Sequence, residues 1–378
     1  MKIALLTDGI YPHVMGGMQK HSYYLARYFA KQKIHVELYH YIPKDKANTH
    51  SPFSAEELEY IREVLIEYPK AYKFPGHYLF ERFQYSKKVL KQLINNDLPD
   101  FIYCKGFASW ALLKSRNHFN INVPICVNFH GYEMFQRAPD LKTGFKLQIL
   151  KQPVLYNMRK ADFLFSYGGK ISEIIKSKGF NNKIIQLPTG ISQDWTENNT
   201  AIMHSTCIKF CFVGRAERRK GIEELNQVFS KINSQKALEF HFIGPIPLKM
   251  RLDDPRIIYH GPIYDQKKIK TILNESDVLV CPSYSEGMPN VILEGMASQC
   301  AIIATDVGAI SEMVDNHNGW LIEGDLLIGL EEAIIEALKV DSNKLIEMKR
   351  KSLSRVKKSF TWEEVIKTTI SKIQECIS

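Results

Sequence analysis

Short apolar runs alternate with helical patterns along both halves of the chain. The first half contains runs of strand length at 3–6, 34–39, 100–103, 123–129, 163–166 and 183–187. Helical periodicity falls at 16–31, 56–67 and 79–94. Because strands alternate with helices, the pattern predicts a parallel, doubly wound sheet with right-handed crossovers.

A second strand–helix series follows a polar segment at 192–206, which is typical of an interdomain linker. Its predicted strands lie at 208–213, 239–243, 257–260, 277–281, 301–304 and 319–322. Its predicted helices lie at 221–232, 267–274, 326–339, 342–358 and 362–376. A length of 378 residues suits two domains of this kind, since a domain usually takes roughly 100–200 residues. The predicted fold class is therefore α/β with two doubly wound domains.

The net charge of +9 and a pI near 9.0 permit nucleic acid, an anionic membrane or an anionic substrate as partner. No helix-turn-helix, zinc finger or aromatic RNA-binding signature is present, so we expect no nucleic acid. No apolar run approaches the ~20 residues that span a bilayer. The seven cysteines lack metal-ligand spacing and suit reduced thiols of a cytoplasmic protein.

Two glutamates flank a predicted helix start in the stretch Cys281–Ala297. Glu286 precedes Pro289, which suits the first position of a helix, and Glu294 lies on the same short helix. Free amides at a helix N-terminus attract phosphate, and carboxylates accept hydrogen bonds from hydroxyls. This combination indicates a nucleotide sugar. The alternative is a solvated Ser-Glu-Gly turn followed by an exposed helix residue.

A basic loop, Val213-Gly-Arg-Ala-Glu-Arg-Arg-Lys-Gly221, lies between a predicted strand and a helix. Ligands of open α/β sheets bind at such strand ends. Arg215 and Lys220 are spaced so that both reach one diphosphate, to which they would form charge-assisted hydrogen bonds. We interpret Arg218 and Arg219 as solvated surface residues.

The first half supplies two weaker signals at strand ends. Gly16-Gly17 precedes a helix and permits a close approach of backbone to a ligand, but it is not the dinucleotide-binding fingerprint. His130 follows the 123–129 strand and is either a ligand-facing or a structural histidine. Neither a nucleotide-linked dehydrogenase nor a Ser-His-Asp enzyme is indicated.

Basic and apolar residues interleave over 140–161, including Lys142, Lys146, Phe145 and Ile149. One interpretation is an amphipathic helix pair that packs on its own domain. The other is a face that contacts an anionic membrane surface or a lipid-linked acceptor.

Together these motifs resemble the GT-B glycosyltransferases, and specifically glycosyltransferase family 4. The spacing of Glu286 and Glu294 is similar to the Glu-x7-Glu signature of that family, and the Arg215–Lys220 loop is similar to its phosphate clamp. Thr189 stands where the family commonly has asparagine. The resemblance implies two Rossmann-like domains facing across a cleft, with the last helix crossing back to the first. The implied bounds are 1–192 plus 360–378 for the acceptor domain and 193–359 for the donor domain.

The resemblance also implies roles for individual residues. Arg215 and Lys220 would bind the diphosphate, Glu294 the ribose and Glu286 the donor sugar. His130 would close the site, and Pro262 and Ile263 would flank the base. The implied donor-binding set is Gly16, Gly17, Arg215, Lys220, Glu286, Gly287, Met288, Pro289, Asn290, Val291 and Glu294, and the implied catalytic set is His130, Glu286, Arg215 and Lys220.

The implied activity is a retaining, metal-independent glycosyl transfer without a cofactor. The donor is a nucleotide diphospho-sugar, most simply a UDP- or GDP-sugar, and the acceptor is a glycan or lipid-linked molecule of cell-surface polysaccharide, lipopolysaccharide or glycolipid synthesis. The expected location is cytoplasmic, peripheral to the membrane if residues 140–161 bind lipid. The alternatives are a related epimerase or phosphorylase and a non-catalytic nucleotide-sugar binder.

Overall fold

The protein folds into two parallel sheets, each flanked by helices. The computed structural model describes residues 1–43, 45, 50–74, 76–197, 207–232 and 237–378. The first sheet contains β1 (Lys2–Leu6), β2 (His35–His40), β3 (Ile61–Leu65), β4 (Phe101–Lys105), β5 (Ile125–Asn128), β6 (Phe163–Ser166) and β7 (Ile184–Gln186). The second contains β8 (Cys207–Val213), β9 (Ala237–Ile243), β10 (Ile257–Gly261), β11 (Val278–Cys281), β12 (Ala301–Thr305) and β13 (Gly319–Ile322).

Helices connect successive strands and cover the sheet faces. Those that follow strands of the first sheet are α1 (Gly17–Lys31), α2 (Ala55–Leu58), α3 (His77–Leu93), α4 (Trp110–Ser115), α5 (Leu141–Lys160) and α6 (Gly169–Ser177). The second half contains α7 (Ile222–Phe229), α8 (Gln266–Asn274), α9 (Asn290–Ala297), α10 (Leu326–Lys339), α11 (Ser342–Ser359) and α12 (Trp362–Ile377).

Both sheets reverse their strand order beside their first strand. The first sheet runs β3-β2-β1-β4-β5-β6-β7 and the second runs β10-β9-β8-β11-β12-β13, all in parallel. Ligands of such sheets bind outside the carboxyl ends of the strands at this reversal. The predicted α/β class with two doubly wound domains facing across a cleft is confirmed, and the fold places each ligand-binding edge on that cleft.

The last helix returns to the first domain, as predicted. Trp362 is 1% exposed and its ring stacks on Tyr24 and Tyr28 of α1, with centroids 6.0 and 5.8 Å apart. Backbone hydrogen bonds join Ile191 to Phe360 and Trp362 at 2.8 and 3.0 Å. The start of α12 is therefore part of the core of the first domain.

Two sequence predictions of local structure are wrong. The helix predicted at 56–67 is the single turn α2 followed by the strand β3. Ser54 and Glu57 form a capping box that begins the helix, but Glu63 on β3 pairs with His40 of β2 at 3.0 Å and the residues join the sheet. The helix pair predicted at 140–161 is one helix, α5, which contains Pro153.

The predicted linker at 192–206 lies partly outside the described residues, which omit 198–206. The domain bounds implied by the family resemblance stay a prediction. All seven cysteines are free thiols, and five of them are buried. Among the helices that the structure describes, none is long and apolar enough to cross a membrane.

Candidate functional site

A cleft of about 780 Å³ lies between the two domains. The loops that follow β1 and β5 line one side, and the carboxyl ends of β8 and β9 together with the loop after β11 line the other. The predicted residues Gly16, Gly17, His130, Arg215, Lys220, Pro262 and Ile263 line it, together with every residue from Glu286 to Val291. Glu294 is the one predicted site residue that does not line this cleft.

Glu286 occupies the loop between β11 and α9 and is 8% exposed. Pro289 was predicted to be the first residue of the helix, but it is the residue just before it, and α9 begins at Asn290. No side chain caps the helix. The first amides of α9 are therefore available to a ligand in the cleft, at the positive end of the helix dipole.

Lys220 donates a hydrogen bond to the Glu286 carboxylate at 2.5 Å. Arg219 lies 3.6 Å from the same carboxylate and also donates to the carbonyl oxygen of Ser285 at 3.3 Å. The interpretation of Arg219 as a solvated residue is therefore wrong, because its guanidinium lines the cleft. Two cations and one acid thus meet beside the start of α9.

Arg215 and Arg218 differ from Arg219 and Lys220 in position. The Arg215 side chain is 72% exposed and pairs with Glu217 at 2.9 Å, so it lies at the mouth of the cleft. Arg218 donates two hydrogen bonds to Glu224 and lies over the ring of Tyr284, as expected of a residue outside the site. The loop brings Lys220, but not Arg215, against Glu286.

The first domain contributes His130, which follows β5 in a left-handed backbone conformation with φ of 57°. Its Nδ1 lies 2.6 Å from the hydroxyl of Tyr167. Burial lowers the pKa of His130 well below its ordinary value, and the nearby Lys105 adds to this effect. His130 is therefore a neutral imidazole at the wall of the cleft.

The domains touch beside His130 with little space between them. A side chain at Gly287 would place its Cβ 3.1 Å from the His130 carbonyl carbon and 3.2 Å from the Gly131 nitrogen. The Gln136 side chain, from the first domain, donates to the carbonyl oxygens of Gly131 and Glu286, the latter at 2.6 Å. Only glycine at position 287 permits this approach without displacement.

Glu294 lies in a small adjoining pocket lined by residues of both domains, including His21, Thr189 and Trp362. Lys20 of α1 donates to its carboxylate at 2.6 Å. Burial alone would lower the pKa of Lys20, but the Glu294 carboxylate outweighs burial and raises it. The ion pair is therefore charged and joins the two domains.

The wall of the cleft formed by the first domain also holds Asp8, Arg82 and Tyr78. Asp8 is 5% exposed, forms an ion pair with Arg82 and accepts from Gln19 at 3.0 Å. Arg82 lies over the Tyr78 ring at 5.0 Å. Such a polar wall with an aromatic face suits a hydroxyl-bearing ligand. In the part of the chain that is described, no cluster of metal-ligating side chains occurs.

Two family models match the chain in succession. The model described as "Glycosyltransferase Family 4" matches residues 15–195, and the one described as "Glycosyl transferases group 1" matches 208–340. Each half of the cleft thus belongs to a recognised glycosyltransferase segment. The chain belongs to glycosyltransferase family 4.

Curated relatives of this family 4 glycosyltransferase come from bacteria and archaea. The putative teichuronic acid biosynthesis glycosyltransferase TuaC of Bacillus subtilis is 29% identical over 65% of this chain and 63% of its own length. The match therefore spans less than two thirds of TuaC. An uncharacterized glycosyltransferase of Methanocaldococcus jannaschii is 24% identical over 99% of this chain and 98% of its own.

Solved structures share the fold of this family 4 glycosyltransferase across its whole length. Sucrose-phosphate synthase from Thermosynechococcus elongatus superposes with a TM-score of 0.75 at 17% identity, covering 99% of this chain and 98% of that one. HepE of Anabaena, solved in complex with UDP and glucose, superposes with a TM-score of 0.67 at 14% identity. The superposition covers 99% of this chain and 100% of HepE. The GT-B architecture predicted by the family resemblance is confirmed.

Sequence reasoning missed several residues that complete the site. Lys20, Gln136 and Tyr167 each contact a predicted residue that is distant in the chain. Arg219 had a signal, since it immediately precedes Lys220 in the basic loop for which a phosphate contact is predicted. The other three lie in helices or turns whose local pattern carries no sign of a ligand.

Proposed function

We propose that the protein transfers a sugar from a nucleotide diphospho-sugar to a glycan or lipid-linked acceptor, with retention of anomeric configuration. The observation that carries this proposal is the contact of Lys220 and Arg219 with Glu286 beside the open N-terminus of α9. Cations and helix amides attract a diphosphate, whereas a carboxylate accepts hydrogen bonds from sugar hydroxyls. We propose a UDP- or GDP-sugar as donor, and the complex of HepE with UDP and glucose on the same fold supports the UDP-sugar.

In the proposed reaction, the bond from the anomeric carbon to the diphosphate oxygen breaks and negative charge develops on the leaving diphosphate. Lys220, Arg219 and the amides of α9 stabilise this charge from fixed positions, without metal or cofactor. The acceptor hydroxyl forms the new bond to the anomeric carbon on the same face and gives its proton to a leaving phosphate oxygen. Glu286 holds sugar hydroxyls and forms no covalent bond.

A panel of nucleotide sugars tests the donor assignment. Thermal shift with UDP-, GDP-, ADP- and TDP-sugars and with a CMP-sugar should single out one nucleotide diphospho-sugar. Proton NMR of the glycosylated product should then show the same anomeric configuration as in the donor. The rate of glycosyl transfer should be unchanged when EDTA is added. An inverted product, or a glycosyl group trapped on Glu286, would contradict the proposed mechanism, and equal shifts with all donors would contradict the donor site.

The printed name of TuaC supports a place in cell-surface polysaccharide synthesis. The acceptor would lie against the wall formed by Asp8, Arg82 and Tyr78, because this wall faces the donor residues across the cleft. Hydroxyls of a glycan would pair with Asp8 and Arg82, and a sugar ring would pack on the Tyr78 face. In Tyr78→Ala we expect the transfer rate no longer to saturate as the acceptor concentration rises. The KM for the donor should stay unchanged.

We also propose that α5 rests on an anionic membrane surface in the cytoplasm. Its second half packs into the domain, with Val154 and Met158 fully buried. Its first half instead exposes Leu141, Phe145 and Ile149 by 94%, 75% and 47%, one turn apart, and Lys142 and Lys146 beside them are exposed. Apolar side chains flanked by lysines suit the boundary between head groups and acyl chains.

Vesicle flotation tests this contact. We expect binding to phosphatidylglycerol vesicles at low salt, weaker binding at high salt, and little binding to phosphatidylcholine. Leu141→Ser with Phe145→Ser should reduce binding, whereas Leu248→Ser, at another exposed apolar residue, should not. Equal flotation of the double variant and the wild type would contradict the proposal.

A further inference from the structure

A chain of buried polar groups stands behind His130. Asn128 at the end of β5 is 2% exposed, and Tyr167, directly after β6, is 4% exposed. The backbone N–H of His130 donates to Asn128 Oδ1 at 2.7 Å. Because an N–H only donates, this contact identifies the amide oxygen of Asn128 and assigns its NH₂ group to the opposite side.

Tyr167 is buried, and burial raises the pKa of its phenol, so the phenol keeps its proton. That proton has one acceptor recorded among the described residues, His130 Nδ1 at 2.6 Å. Tyr167 consequently donates to Nδ1, and the single proton of a neutral His130 lies on Nε2.

His130 Nε2 is buried and has no hydrogen-bond partner in the described part of the chain. A buried donor without an acceptor destabilises the protein, because it has lost its hydrogen bonds to water and gained none in return. His130 itself lines the cleft, opposite Gly287. An oxygen atom that reaches Nε2 from the cleft would satisfy this donor.

We infer that Tyr167 and Asn128 are positioning residues: Asn128 fixes the backbone of His130, and Tyr167 holds its ring in the Nε2–H tautomer, so that His130 donates a hydrogen bond to an oxygen of the bound donor and does not act as a base. The role of the bound donor rests on the proposed function. The tautomer itself does not, since it follows from the contacts of the protein alone.

The surroundings of His130 keep the imidazole uncharged. His21 of α1 lies edge-to-face at 5.6 Å between ring centroids, and burial lowers its pKa too. Lys105 and Tyr103 approach from β4, and burial depresses the pKa of Lys105 and raises that of Tyr103. The backbone of Gly287 approaches from the second domain. Burial and the nearby Lys105 both lower the pKa of His130, and both therefore disfavour the imidazolium.

The tautomer can be measured without substrate. Protein labelled with ¹⁵N-histidine, with the His130 signals assigned by their loss in His130→Asn, should show a protonated Nε2 and an unprotonated Nδ1 at pH 7. In Tyr167→Phe the Nδ1 signal should move toward the protonated position, because its donor is gone. A protonated Nδ1 in the wild type, or an unchanged spectrum in Tyr167→Phe, would overturn the inference.

Tyr132→Phe is the matched control. Tyr132 is fully buried two residues from His130, and its hydroxyl has no partner among the described residues. Removal of this hydroxyl should leave the His130 spectrum unchanged. Once a donor is known, Tyr167→Phe should lower kcat by about tenfold with a similar donor KM, the loss expected from one misplaced hydrogen bond, and Tyr132→Phe should not. Equal rates for both variants would overturn the positioning role even if the glycosyl transfer itself is confirmed.

Discussion

Glu286 and Glu294 belong to one strand–loop–helix segment, yet their lysine partners lie in different domains. Glu286 pairs with a lysine of its own domain, and Glu294 pairs with a lysine of the other domain. Both are largely buried, and both lysine contacts are short, at 2.5 and 2.6 Å. Lys220 lies 66 positions from Glu286 and in the same domain. Lys20 lies 274 positions from Glu294 and in the other domain.

This difference separates a fixed site from one that depends on domain position. The Lys220–Glu286 contact survives any motion of one domain against the other, so the charges proposed to meet a diphosphate are already in place. The Lys20–Glu294 contact exists only while α1 lies against α9. Glu286 therefore keeps its lysine contact wherever the first domain lies, whereas the Glu294 contact forms only when the two domains are together.

The largest effect should follow from Lys220→Ala. It removes a cation from the proposed leaving group and leaves the Glu286 carboxylate with the more distant Arg219. We expect turnover to fall by about 10²–10³-fold and calorimetry to show weaker binding of the nucleoside diphosphate. Lys344→Ala, an exposed lysine on α11 of the same domain, is the control. A turnover within twofold of the wild type would remove Lys220 from the site.

Glu294→Gln should weaken binding of the nucleoside diphosphate by about tenfold or more, because a charged acceptor for ribose hydroxyls is worth about 1.5–3 kcal/mol. Calorimetry with the ordinary and the 2′,3′-dideoxy nucleotides distinguishes this cause from a general disturbance. The variant and the wild type should bind the dideoxy nucleotide alike. An equal loss for both nucleotides would assign Glu294 to structure alone.

Gly287→Ala should act on the domain contact and leave the Lys220–Glu286 pair intact. Its Cβ would lie 3.1 Å from backbone of His130, so the first domain must move away. We expect about a tenfold loss of turnover, with nucleoside diphosphate affinity changed far less than in Glu294→Gln. Gly144→Ala, where the Cβ meets only Ala138 at 3.5 Å, should retain activity. Full activity of Gly287→Ala would show that the close approach is dispensable.

The smallest effect should follow from Lys20→Met. A double-mutant cycle with Glu294→Gln, measured by denaturant unfolding, should give a coupling of roughly 1 kcal/mol for this partly exposed pair. The corresponding cycle of Lys220→Met with Glu286→Gln should give a larger coupling, because that pair is more deeply buried. Equal couplings would erase the distinction between the two glutamates.

The repeated strand–helix pattern was enough to predict both sheets and to locate the loop of Glu286 at a strand end, whereas Gly287–Val291 were predicted as site residues from the family resemblance. The sheets and the position of this loop depend on local periodicity and on the rule that ligands bind at strand ends. The residues from 56 to 67 were misassigned because their strand is specified by partners such as His40, beyond the reach of a local pattern.

The contacts that complete the site could not be predicted from the sequence for a related reason. Gln136 binds the backbone of Glu286, 150 positions away, and its own neighbourhood has no motif. Tyr167 resembles any aromatic residue after a buried strand until its hydroxyl is seen beside His130. Side-chain pairs between distant segments depend on the packed geometry, which the periodicity of a single segment does not encode.

The return of α12 to the first domain has a consequence for synthesis on the ribosome. Trp362 packs against Gly190 and the rings of α1, but it is translated only after the entire second domain. At 5–20 residues per second, the ribosome needs roughly 10–30 s to pass from Ile191 to Trp362. During that interval the surface beneath Trp362 stays uncovered, and a chaperone that shields apolar chain would find its target there.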